Sequence, residues 1–271
     1  MNQSGADLDG AWSDDLRLIA EAATDAGRLA LSHFGASPEV WWKNEGRSPV
    51  SAADYAANAL LEARLRPARP GYGWLSEETD DDQTRLDRET VFIIDPIDGT
   101  RAFLAGQKTW CVSVAVVHQG RPVAAALVAP ALDEIFLASA TGPALLNGQV
   151  LSVTPFRDDA VLDVASPAEL IGAFAERETA QSLNRVPHVP SLAYRIAMVA
   201  AGRIDATLVL KNAHDWDLAA ADLILEKAGG VLISTDGTPL TYNRARVRHG
   251  HLAAAGREAI TRLIPVFSTF V

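Results

Sequence analysis

With one cysteine, Cys111, in 271 residues, the chain has no internal disulfide framework and no cysteine zinc cluster. The apolar pattern around it makes a buried, inert thiol the expectation. Long hydrophobic runs are also missing. Nothing approaches the roughly 18 consecutive apolar residues of a membrane span, so none is expected. Positive charge is scarce as well. The 24 Lys and Arg against 34 Asp and Glu leave a net charge of -10, whereas a general nucleic-acid binder shows a basic footprint. No nucleic-acid partner is expected. The first fifteen residues are polar and acidic, without a basic segment leading into an apolar one. A signal peptide is therefore not expected, and a cytoplasmic protein is. The usual catalytic devices are missing: no G-x-S-x-G elbow, Walker A loop, G-x-G-x-x-G or H-E-x-x-H. The six histidines are scattered, which gives a histidine metal site little support. There is no internal repeat or low-complexity stretch.

What is present describes a folded protein, with 48% hydrophobic and 21% charged residues. The length suits two compact domains or one large one. From Asp14, the residues Leu16, Ile19, Ala20, Ala23, Ala26, Ala30 and Phe34 share a helical spacing that Gly35 and Pro38 end. Trp41 and Trp42 follow in a short extended piece, where packing is the expected role. Ser51 to Asp54 resembles a capping box opening a helix to about Arg66. A short strand at 74–76 precedes Glu77-Glu78, and Asp80–Asp82 reads as a solvated acidic loop. Beyond residue 100, strands at 110–118, 123–129 and 134–140 with short turns indicate an antiparallel meander, with one more hairpin to about 153. The pattern changes near 155–159. Strands at 161–165, 206–210 and 231–234 then alternate with helices at 167–178, 192–201 and 218–227, an α/β arrangement.

Chemistry is carried by carboxylates. Val91-Phe92-Ile93-Ile94 reads as a buried strand that delivers Asp95, and three residues later Asp98, into a turn punctuated by Pro96 and Gly99. Like charges held that close favour a cation between them. The plain alternative is an Asp-rich β-turn. Glu77-Glu78 closes the preceding strand, and Asp215-Trp216-Asp217 enters the 218–227 helix, where an acid is also an ordinary cap. Asp54 has a structural role of the same kind. An EF-hand calcium loop fails on spacing, because Gly99 and Thr100 follow Asp98 without alternating acids or a closing Glu.

The run Asp95-Pro96-Ile97-Asp98-Gly99-Thr100, followed by Trp216-Asp217 with Ala219-Ala220 and then Ala228-Gly229-Gly230, resembles the inositol monophosphatase superfamily of magnesium-dependent, lithium-sensitive phosphatases. The similarity spans nearly the whole chain. It implies a layered α-β-α-β-α sandwich, with an α+β domain at 1–154 and an α/β domain at 155–271 carrying Asp217. It also implies two or three Mg²⁺ ions per site, inhibition by Li⁺ and a homodimer. By the same resemblance, Glu77, Asp95, the Ile97 carbonyl, Asp98 and Asp217 would hold metal, with Glu77 also orienting water. Asp54 and Thr100 would help take the proton from the attacking water. The N–H groups of Gly99 and Thr100 would bind phosphate oxygens, and Asp217 would border the substrate.

The phosphate ester is less defined. Ser76 stands where the family has Gly, and the 210–215 loop lacks the Glu that inositol phosphatases place before the second motif. Lys211 in that loop and Arg195 on the preceding helix would suit a substrate with a second anionic group; each also reads as an ordinary exposed charge. The Arg101-Ala102-Phe103 continuation and the 192–202 segment are most similar to bacterial 3'(2'),5'-bisphosphate nucleotidases. The resemblance therefore implies hydrolysis of adenosine 3',5'-bisphosphate by metal-activated water. Inositol-1-monophosphatase is the alternative, then histidinol-phosphate phosphatase, then a regulatory binding protein on the same fold. Arg244, Arg246, Arg248, His249 and His251 read as a solvated basic face or as a phosphate site.

Overall fold

A computed structural model describes residues 10–35, 40–43, 48–157, 159–166 and 183–267. The expected helix at 167–178 lies outside the described residues. The first helix, α1 (Ser13–His33), buries Leu16, Ile19, Ala22, Ala23, Ala26 and Ala30, the apolar stripe its spacing requires. It lies beside α2 (Ala52–Ala68). Between them β1 (Val40–Lys43) and β2 (Ser48–Ser51) form an antiparallel pair. Trp41 stays 42% exposed there, with its ring edge-on to Tyr55; the side chain of Trp42 is outside the described set.

The larger sheet runs β3 (Gly73–Ser76), β4 (Thr90–Asp98), β5 (Cys111–His118), β6 (Arg121–Ala129), β7 (Glu134–Ser139), β8 (Leu145–Leu146) and β9 (Gln149–Val150), neighbours in that order. Only β3 and β4 are parallel; the rest is the expected meander. Between β4 and β5 sits the short α3 (Thr100–Leu104). Side chains alternate across a strand, and here both faces are covered. Phe92, Ile94, Val112 and Val114 pack against α1 and α2. Val91, Ile93, Ala115 and Val117 face the other way, toward α4 (Leu192–Ala200) and α5 (Asp215–Lys227). Double burial is why β4 reads as an unbroken apolar run.

The second sheet has the order β11-β10-β12-β14-β13, from β10 (Leu162–Ala165), β11 (Leu183–Arg185), β12 (Ala206–Val209), β13 (Gly230–Ser234) and β14 (Leu252–Gly256). One face joins the layer of α4 and α5 through Leu232, Leu252 and Ala254. The opposite face, with Val164, Leu208 and Ala255, packs on α6 (Ile260–Phe267) through Ile260 and Leu263. The layers are therefore helix, sheet, helix, sheet, helix, as expected. Because α5 lies between two sheets, it is buried around its circumference from Leu218 to Leu225, so no single apolar stripe marks it. No described helix is long and apolar enough to cross a membrane.

Candidate active site

The cleft forms where β4 leaves its sheet. Pairing is regular from Thr90 opposite His118 to Asp95 opposite Ser113, then resumes at Asp98 opposite Cys111. The extra β4 residue is a bulge, a device that re-aims side chains. Without it, residues three apart would point to opposite faces. The Asp95 Oδ1 accepts from the Ile97 N–H at 3.0 Å, which closes the turn. Gly99 follows at φ +94°, and a Cβ there would come within 2.9 Å of the Ser191 Cβ. Both the left-handed backbone and the close approach of the α4 start demand glycine.

The Asp98 Oδ2 accepts from the Ala193 N–H at 2.7 Å and from the Ser191 hydroxyl, so a residue of the first sheet anchors the first turn of α4. Asp217, in the first turn of α5, accepts from the His214 N–H at 2.7 Å. The capping role and a place in the cleft coincide. Asp95, Asp98 and Asp217 each bring a carboxylate oxygen to within 4.8 Å of the others. Glu77 is half-buried and lines the same cleft; its N–H donates to the Ile94 carbonyl at 3.1 Å, extending the β3–β4 pairing. Just before it, the buried Ser76 hydroxyl donates to Asn58 Oδ1 at 2.7 Å, so the residue found in place of glycine tethers the Glu77 turn to α2.

Electrostatics describe a site short of positive charge. Burial raises the Asp95 carboxyl well above the usual range, and the charges of Glu77, Asp98 and Asp217 raise it further. Burial, then Asp217, pushes Asp98 up to about 6, opposed by hydrogen bonds from Ser191 and Ala193. Clustered carboxylates resist joint ionisation unless a cation compensates. Hard oxygens in this arrangement suit Mg²⁺, which normally combines a few carboxylates with water and substrate oxygens, so the donor set fits that ion.

Asp54 keeps its expected cap, accepting from the Ser51 N–H at 2.8 Å and the Ser51 hydroxyl at 2.6 Å. Its other oxygen accepts from the Thr100 hydroxyl at 3.2 Å, which also lies 3.1 Å from the Ile97 carbonyl. One hydroxyl proton serves one acceptor at a time, so Thr100 can switch between them. Burial raises the Asp54 carboxyl. Cys111 is buried against Asp98, and burial pushes its thiol up, in keeping with an inert group.

The cleft, of about 370 Å³, brings together Glu77, Asp95, Ile97, Asp98, Gly99, Thr100 and Asp217. Neither Arg195 nor Lys211 is among the described residues that line it. Arg195 is buried inside the molecule, its Nη1 donating to the Val189 carbonyl at 3.0 Å. Burial pushes it down to about 10, against the opposing pull of Asp98. Lys211 is exposed in a turn. Instead Pro49, Arg101, His188 and Pro190 complete the wall. Burial, then the charges of Arg195 and Arg185, hold His188 below its ordinary value, leaving it neutral near pH 7. Arg101 adjoins Thr100 in the motif and could have been found there. His188 and Ser191 gave no signal beyond an ordinary helix cap.

Comparison with known proteins places the chain in a family. The family model for the inositol monophosphatase family matches residues 12–268. An inositol-1-monophosphatase from Rhizobium meliloti is 33% identical, over 92% of this chain and 97% of its own. A 3'-phosphoadenosine 5'-phosphate phosphatase from Mycobacterium leprae is 32% identical, over 85% and 84%. The crystal structure of the extragenic suppressor protein suhB from Bartonella henselae superposes with a TM-score of 0.83 at 28% identity, covering 95% of this chain and all of that one. The chain belongs to the inositol monophosphatase family and is a phosphoric monoester hydrolase.

Proposed function

We propose that this phosphatase hydrolyses a small phosphate monoester carrying a second anionic group, with adenosine 3',5'-bisphosphate the leading substrate. The observation that carries the reaction is the set of three carboxylates, Asp95, Asp98 and Asp217, beside a turn whose Gly99 and Thr100 N–H groups open α3. Magnesium, when bound, supplies Lewis-acid charge that activates water and neutralises phosphate oxygens. Asp95, Asp98 and Asp217 would hold it, with Glu77 and the Ile97 carbonyl contributing from the same wall. Asp54, through the Thr100 hydroxyl, would take the proton of the attacking water; its raised pKa suits it to hold that proton. The free N–H groups of the Gly99–Thr100 turn would bind the phosphate oxygens.

For the rest of the substrate, Arg101 and His188 replace Arg195 and Lys211 as the groups placed to meet it. The Arg101 guanidinium in the wall favours an ester with a further phosphate over a neutral polyol, and the neutral His188 ring adds a hydrogen-bonding group without charge preference. The Mycobacterium leprae relative supports the same reading. Inositol monophosphate is the second reading, supported by the Rhizobium meliloti relative.

The test is phosphate release with Mg²⁺ from adenosine 3',5'-bisphosphate, inositol phosphates, histidinol phosphate and fructose bisphosphate. The bisphosphate nucleotide is expected to give the highest kcat/KM, and Asp95→Asn to bring release to background while the thermal transition survives. Release from none of these esters would refute the reaction; a higher kcat/KM on inositol phosphate would replace the substrate.

A further inference from the structure

A second cavity, of about 700 Å³, opens among the β13 turn and the segment leading into β14, apart from the carboxylate cleft. Arg244, Arg246 and Arg248 all line it, and all are exposed. The chain bends at Asn243 and Ala245, so the three arginines reach the same cavity, with Ala245 in its wall as well. Between them Val247 turns the other way and packs on the central core.

The segment is fixed rather than loose. Its backbone pairs with the chain just before α5: the Asp215 N–H donates to the Val247 carbonyl at 2.9 Å, and the His249 N–H to the Ala213 carbonyl at 2.8 Å. Arg248 is held by donating from Nε to His214 Nε2 at 3.0 Å. That contact leaves its Nη groups for another partner. His249 is buried and bonded to Asp215 at 2.7 Å, so it is not a free cation in the cavity. Among the described residues no carboxylate forms an ion pair with Arg244, Arg246 or Arg248. The acid in the wall, Asp236, is occupied by its own turn, accepting from the Ser234 hydroxyl and from the Thr238 hydroxyl and N–H. Those bonds hold it down at about 2.

We infer that this cavity is a binding site for a small anion carrying two or more phosphate groups. Guanidinium groups offer paired donors that match phosphate oxygens. The volume is that of a small-molecule site. A concave wall with three arginines against one engaged carboxylate is a local inversion in a chain of net charge -10, and that net charge disfavours a long nucleic acid as occupant.

The inference is independent of the proposed reaction, and so is its test. Pyrophosphate is titrated calorimetrically into the full chain in EDTA, where the carboxylate cleft, lacking a cation, repels anions. Saturable binding of one pyrophosphate per chain is expected. Arg244→Glu with Arg246→Glu should weaken it at least tenfold, leaving the melting temperature and basal Mg²⁺-dependent phosphate release unchanged. Asp95→Asn should bind as tightly as the parent. The site would be refuted by the absence of saturable binding, by full affinity in the double variant, or by loss of binding in Asp95→Asn. Preference for a single-stranded RNA oligomer over pyrophosphate would refute it too. Should the double variant not fold, Arg246→Gln alone should still weaken binding at least threefold; undiminished affinity there would be equally fatal.

Discussion

Asp222 shows how much one buried carboxyl can contribute to pH dependence away from the cleft. It sits inside α5, surrounded by the two sheets, and accepts from the Tyr242 hydroxyl at 2.9 Å. Burial pushes it up to about 6, with the Tyr242 hydrogen bond opposing. The sign follows from proton linkage. A carboxyl raised in the folded state binds its proton more tightly there than in the unfolded chain. Its contribution is present below the ordinary carboxyl pKa and is lost as pH rises through about 6. Asp222→Asn keeps an acceptor for Tyr242 and removes the charge. It is expected to raise stability at pH 8 by on the order of 2–3 kcal/mol and to leave pH 4 nearly unchanged. Urea titrations at both pH values check this; equal shifts at the two would show that charge is not the cause.

Between elements, one arginine ties distant segments together. Arg85 is 1% exposed. Its Nε and Nη2 donate to the Asp81 carboxylate at 2.6 and 2.8 Å, and its Nη1 donates to Asn243 Oδ1 at 2.7 Å. Asp80–Asp82 are exposed, as expected of a solvated loop, but two of them also hold structure: Asp81 is taken by Arg85, and Asp82 caps the 3₁₀ turn after it through the Thr84 N–H. Arg85→Ala leaves both partners without their donor and is expected to cost about 3 kcal/mol; a denaturant midpoint unchanged from the parent would deny the tie. Local pattern could not announce it, because Asn243 lies far away in sequence. The same physics divides the rest. Apolar and β-branched runs with short turns made β4 and the meander legible, and apolar residues at helical spacing made α1 so. By contrast β14 is Leu-Ala-Ala-Ala-Gly, poor in such residues, and went unseen although it is paired on both sides, with β12 and β13. Asp95, Asp98 and Asp217 stood out through their motifs. His188 and Ser191 did not, because their meaning comes from the turn they face.

Across the whole molecule, the cleft joins what the two sheets carry. Asp95 and Asp98 end a strand of the first sheet, whereas Asp217 stands on the helix layer shared with the second. A cation held by all three would bind the folded chain and not the unfolded one, so it should stabilise by mass action. At about a hundred times its dissociation constant, Mg²⁺ is expected to add about 2.7 kcal/mol, read as a rise in melting temperature that EDTA reverses. Asp217→Asn should remove most of that rise, and a full rise in this variant would place the ion elsewhere. The arrangement also sets a schedule for the chain as it is made. Glu77, Asp95, Asp98 and the Gly99–Thr100 turn leave the ribosome early, while Ser191, which props Asp98, and Asp217 come much later. A nascent or truncated chain that stops before α5 carries the turn without its third carboxylate. If Asp217 is needed for turnover, hydrolysis waits until α5 has been synthesised and the helix layer between the two sheets has docked.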